Sequence, residues 1–112
     1  MKISTRQSGN ATVFDVTGDI DLQSSPELRK ALLDAARQGP SPRLVVNLQG
    51  VKYVDSSGVA ALVEGLKSAM GQGGKFVLYG LGPAVREMLK LTQLITVFQV
   101  AENEEDAVRR AS

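Results

Sequence analysis

The chain has 112 residues and a net charge of +1, from 13 Lys and Arg against 12 Asp and Glu. That length suits one domain with a single modest core, and so even a balance supplies no basic field for nucleic acid or an anionic membrane. There is no Cys and no His, which removes thiolate nucleophiles, disulfides, Cys/His zinc sites and imidazole acid–base chemistry.

Other absences narrow the field further. Aromatic residues are only 4%, without Trp, so a platform for stacking bases is not expected. The longest apolar stretch, Val59 to Val63, is far short of a membrane span. The opening Met1-Lys2-Ile3-Ser4-Thr5-Arg6 lacks the apolar run of a signal peptide. The expectation is a single domain over 1–112: cytoplasmic, monomeric, not an enzyme, with neither cofactor nor metal.

Along the chain, Ile3–Ser8 and the alternating Ala11–Thr17 read as two strands joined by a Gly9-Asn10 turn. Gly18-Asp19-Ile20-Asp21 breaks the second strand. Ser24-Ser25-Pro26-Glu27 then fits a capping box, with Asp21 as a rival cap. Leu28, Ala31, Leu32 and Ala35 recur at helical spacing as far as Gly39-Pro40. Leu44-Val45-Val46-Asn47-Leu48 reads as a strand covered on both faces. A second helix from about Ser57 places Val59, Leu62, Val63, Leu66 and Met70 on one side, and Gly71-Gln72-Gly73-Gly74 ends it.

Lys75–Tyr79 is a further buried strand. Gly80-Leu81-Gly82-Pro83 turns into a third helix with Val85, Met88 and Leu89 inward. Thr96–Val100 predicts the last strand, and Asn103–Arg110 a terminal helix with acids early and Arg109-Arg110 late. The order ββαβαβαβα is that of an α/β fold with a mostly parallel sheet.

In such a sheet, functional groups gather where strands end and helices begin. Three connections belong to that edge: Gly18–Ser25, Tyr53–Gly58 and Gly80–Pro83. The middle one, Val54-Asp55-Ser56-Ser57-Gly58, stands directly before a helix, with one serine expected to cap it and the other to lie in its first turn. Free N–H groups there favour an anion, so a phosphate on this serine is tolerated. The plain alternative is that Asp55-Ser56-Ser57 is only a good N-cap run.

A hydrolase nucleophile at Ser57 needs a base, and there is no His. A serine that receives a phosphate needs none of its own, because a kinase supplies it. Gly71-Gln72-Gly73-Gly74-Lys75 fails as a phosphate loop, since it runs from helix to strand. Gly80-Leu81-Gly82-Pro83-Ala84-Val85 is better placed, but Val85 replaces the third glycine of a dinucleotide fingerprint. Asp21 and Leu22 are expected to stand beside Ser57 and widen a protein-contact patch, although Ile20 and Leu22 could equally turn into the core.

The residues resemble the STAS domain family, in its stand-alone anti-sigma factor antagonist form. The likeness rests on Val16-Thr17-Gly18-Asp19-Ile20-Asp21, on Leu44–Leu48 leading into Val54-Asp55-Ser56-Ser57-Gly58, and on Gly65-Leu66-Lys67. Gly74-Lys75-Phe76-Val77-Leu78 and Val85-Arg86-Glu87-Met88-Leu89 complete it.

The resemblance implies a STAS-like mixed sheet of four to five strands with helices mainly on one face. It implies that the unphosphorylated protein binds an anti-sigma factor serine kinase and so releases the sigma factor. That kinase then phosphorylates Ser57, which switches binding off, and a PP2C-type phosphatase resets the cycle. Asp21, Leu22, Asp55, Ser56, Ser57 and Gly58 are the implied contact residues. Asp55 would fix the loop or meet the partner, and Gly58 would keep the helix start open to a kinase. Two alternatives stand beside this: a cytoplasmic STAS subunit of an ABC-type lipid or anion transport system, and a nucleotide-binding domain using Gly80–Val85.

Overall fold

A five-stranded sheet in the order β1-β2-β3-β4-β5 carries the chain, seen here in a computed structural model of residues 1–112. The elements are β1 (Lys2–Ser8), β2 (Ala11–Thr17), α1 (Ser25–Ala36), β3 (Arg43–Gly50) and α2 (Ser56–Gly71). They continue with β4 (Lys75–Tyr79), α3 (Pro83–Leu91), β5 (Gln99–Ala101) and α4 (Glu104–Ala111). β1 pairs antiparallel with β2, whereas β2, β3, β4 and β5 run parallel. The element order and the mixed sheet agree with the reading from sequence.

Alternation along the strands divides the core in two. Phe14, Val16, Leu44, Val46, Leu48, Phe76 and Leu78 point to one face and pack on Leu28 and Leu32 of α1, Val59 and Leu62 of α2, and Val85 and Leu89 of α3. Ala11, Val13, Val45, Val77 and Tyr79 point to the other, where Ala107 and Ala111 of α4 cover them. Three helices therefore share one face and α4 alone takes the second. β3 is covered on both sides, which is why Leu44–Leu48 lacks a polar alternation.

Local details differ from expectation in three places. The capping box at α1 does not form, because Ser24 makes no side-chain cap bond. Its hydroxyl is already engaged: it accepts from the Asp21 N–H at 2.9 Å and lies 3.0 Å from Asp21 Oδ1. Asp21 organises the turn instead, its Oδ1 accepting from the Gln23 and Ser24 N–H groups at 3.0 Å each. The strand expected at Thr96–Val100 is Gln99–Ala101. Gln93 adopts a left-handed φ of 61°. The N–H groups of Leu94 and Ile95 bond back to the Leu89 carbonyl, and those of Val97 and Phe98 to Leu94. These N–H groups are satisfied in a turn before any strand can use them. Met70 is 58% exposed, since the buried stripe of α2 runs through Gly58, Ala61, Leu62, Gly65 and Ala69. No helix is long and apolar enough to cross a membrane.

Candidate functional site

Beyond the end of the regular sheet, two loops continue side by side. The Gly18 N–H donates to the Gly50 carbonyl at 3.0 Å, Ile20 N–H to Tyr53 at 3.0 Å, and Asp55 N–H to Ile20 at 3.1 Å. Ile20 and Val54 form an isolated parallel bridge and are both buried. The β2–α1 and β3–α2 connections are thus one backbone-bonded unit.

Asp55, half-buried, is the pin of that unit. It is the N-cap of α2: Oδ1 accepts from the Gly58 N–H at 3.1 Å. Its Oδ2 accepts from the Leu22 N–H at 3.1 Å. One carboxylate holds the start of α2 and the tip of the first loop together. Neither serine caps the helix. Ser56 and Ser57 are its first two residues, Ser56 exposed and Ser57 half-buried. Aspartate and serine are equally good caps, so three consecutive candidates could not be ranked by residue type. The Ser56 and Ser57 N–H groups donate to no other group of the chain, leaving two orphan donors at the positive end of α2.

Gly58 is buried, and a Cβ there would lie 2.4 Å from Val54 Cγ2, 2.7 Å from Ile20 Cγ2 and 3.0 Å from the Ile20 carbonyl. Glycine here lets α2 press its first turn onto the Ile20–Val54 bridge. Its burial gives it a packing role at the helix start, beside the one the resemblance implies.

Ile20 and Leu22 part company: Ile20 enters the core and Leu22 stands 75% exposed, with Tyr53 at 48% on the neighbouring loop. Asp21 is half-buried, and the Ser24 N–H, then its hydroxyl, hold the carboxyl below the usual range. The two loops therefore bring Leu22, Asp55, Ser56 and Ser57 together, with Asp21 one residue behind in a closed turn.

The third connection keeps to the same edge but meets the second at its start. Gly80, with φ of 78°, backs onto Gln49, where a Cβ would come within 2.3 Å of its Cγ. A separate cavity of about 400 Å³ lies beside it, lined by Gly80, Leu81, Arg86, Val100, Ala101 and Glu102.

A sequence model of the STAS domain matches residues 2–107, and the chain belongs to that family. The anti-sigma-B factor antagonist of Bacillus subtilis is 28% identical over 109 residues, covering 97% of this chain and 98% of that protein. The crystal structure of an anti-sigma factor antagonist from Mycobacterium paratuberculosis is 26% identical, with a TM-score of 0.83 over 98% of this chain and 92% of that one. An anti-sigma factor antagonist STAS domain protein from Planctomyces limnophilus superposes with a TM-score of 0.89 at 22% identity, over 98% of each chain.

Proposed function

We propose that this protein is an anti-sigma factor antagonist, switched by phosphorylation of Ser57. The unmodified chain binds an anti-sigma factor that is also a serine kinase, and the sigma factor is released. The kinase transfers the γ-phosphoryl group of ATP to Ser57 Oγ. The new O–P bond replaces the bond to the leaving ADP, and the hydroxyl proton passes to the kinase's base. A PP2C-type phosphatase hydrolyses the ester and restores the hydroxyl.

One observation supports the reading most strongly. In a chain related along its length to antagonists, Ser57 is a half-buried but solvent-reachable hydroxyl in the first turn of a helix with two free N–H groups. The helix terminus tolerates a phosphate, at a favourable 0.3–1 kcal/mol or so, opposed by the nearby Asp55. The fold is therefore little affected, whereas a partner packed over this point meets about −1.5 to −2 of new charge. A like charge or a lost contact in an interface costs several kcal/mol, and each ~1.4 kcal/mol is tenfold in affinity. Binding can be toggled without unfolding.

Leu22 and Tyr53, one on each of the two loops, supply exposed apolar surface, suited to the core of a contact. The test is incubation with the cell's candidate kinase and ATP, followed by mass mapping. A single phosphate at Ser57 is expected, with Ser57→Ala binding the kinase constitutively and Ser57→Asp weakly. Equal binding by both variants would remove the switch.

A further inference from the structure

Ser57 opens into a groove of about 370 Å³ between α1 and α2, lined among others by Ser25, Pro26 and Arg29 of α1 and by Ala60 and Glu64 of α2. Both helices follow strands of the parallel part of the sheet and start from the same edge. Their residues can therefore be compared by depth. At about 1.5 Å per residue, Arg29 lies roughly 6 Å below Ser25, and Glu64 roughly 10 Å below Ser57. Arg29 lines the same groove as Ser57 and reaches Glu64 within it.

The guanidinium is only partly used. Arg29 Nε donates to Glu64 Oε2 at 2.5 Å, and the two side chains remain 51% and 45% exposed. Its two terminal nitrogens donate to no group of the chain. A half-exposed pair of this kind is weak and screened. A planar fork with free N–H groups is the shape that grips phosphate in two places at once.

We propose that a phosphate on Ser57 is received by Arg29, whose terminal nitrogens hold it while Glu64 gives up the guanidinium. This rests on the reading of Ser57 as the phosphorylated residue. A phosphate brings more charge than one carboxylate and three strong acceptor oxygens, and the orphan N–H groups of Ser56 and Ser57 add donors at the same end. Glu64 is left unpaired two turns down α2. The modified state therefore differs along the whole α1–α2 groove, and a partner reading it meets both a pinned phosphate and an unmasked acid.

The test installs phosphoserine at position 57 during translation, so that no kinase is needed. Failure of this inference is then distinct from failure of the switch. The second ionisation of the phosphate is followed by phosphorus NMR in the native background and in Arg29→Gln, Arg29→Lys and Glu64→Gln. An unpaired phosphoserine loses that proton near pH 6 or so. The native midpoint is expected at least ~0.5 unit below that of Arg29→Gln, about a threefold change in proton affinity. Arg29→Lys, which keeps the charge and loses the fork, falls between them, and Glu64→Gln lies at or below native. Midpoints for native, Arg29→Gln and Arg29→Lys agreeing within about 0.1 unit would overturn the proposal.

Discussion

Asp55 and Gly58 do at the residue scale what the site requires. Asp55→Ala removes a helix cap and leaves the Leu22 N–H without its partner. A cap is worth typically ~1 kcal/mol, and a lost hydrogen bond adds about as much again. The expected loss is therefore roughly 1–2 kcal/mol in chemical denaturation, with faster hydrogen exchange at the Leu22 amide. A native-like exchange rate there would show that the Asp55 bond does not hold the loop. Gly58→Ala places a methyl group within 3.0 Å of Val54, Ile20 and the Ile20 carbonyl. Overpacking of this kind costs about 1–3 kcal/mol, and it should lift α2 off the bridge and weaken partner binding beyond what the stability loss explains.

Much of this site was legible in the residues. Asp-Ser-Ser-Gly before an apolar helical repeat announces a helix start, and α/β topology puts it at the functional edge. The identity of the cap was not legible, because three residues of equal capping preference stand in a row. Nor was the burial of Gly58, which depends on Ile20, a residue brought close only by the pairing of two loops.

Elements show the same division. The buried stripes of α1 and α3 follow from spacing, since Leu28, Leu32, Val85 and Leu89 are all buried as the periodicity requires. α4 is different. Its docking depends on partners far away in sequence: Arg6 of β1 reaches Glu104 at 2.5 Å and Asp15 at 2.6 Å. Tyr79 of β4 donates to Glu104 at 2.9 Å, and Asn47 of β3 to Asp15 at 2.9 Å. No local pattern marks Arg6 and Glu104 as neighbours across 98 residues.

This network sets a pH window for α4. The Arg6 guanidinium, and then Tyr79, hold the Glu104 carboxyl down to about 2 against an ordinary 4.5. The native state thus binds fewer protons than the unfolded chain, and the contribution is present above pH 4.5 and lost as pH falls toward about 2. Tyr79 goes the other way: burial first, then Glu104, push it up to about 12 from 10.0. Its contribution is present below pH 10.0 and lost as pH rises through about 12. Denaturation midpoints across pH should be shallower on the acid side in Glu104→Gln and on the basic side in Tyr79→Phe. An acid limb unchanged by Glu104→Gln would mean that the Glu104 ion pair contributes nothing to the docking of α4.

For the molecule as a whole, the proposed switch relies on stability and recognition being carried by different parts. The core lies between the sheet and its helices, while the proposed phosphorylation and contact residues stand on two loops and one helix start at the rim. One phosphate takes the net charge from +1 to about −0.5 to −1. The phosphorylated chain should elute later from an anion exchanger yet melt within a few degrees of the unmodified one. A drop large enough to unfold it at growth temperature would place the switch in the fold and not at the surface.

Calorimetric titration of the cell's anti-sigma factor kinase with two preparations of this chain, one unmodified and one with phosphoserine at position 57, bears most directly on the proposed role. The unmodified chain is expected to bind, and the modified one to bind at least ~30-fold more weakly, a difference of about 2 kcal/mol. Equal affinities from two equally folded preparations would contradict it.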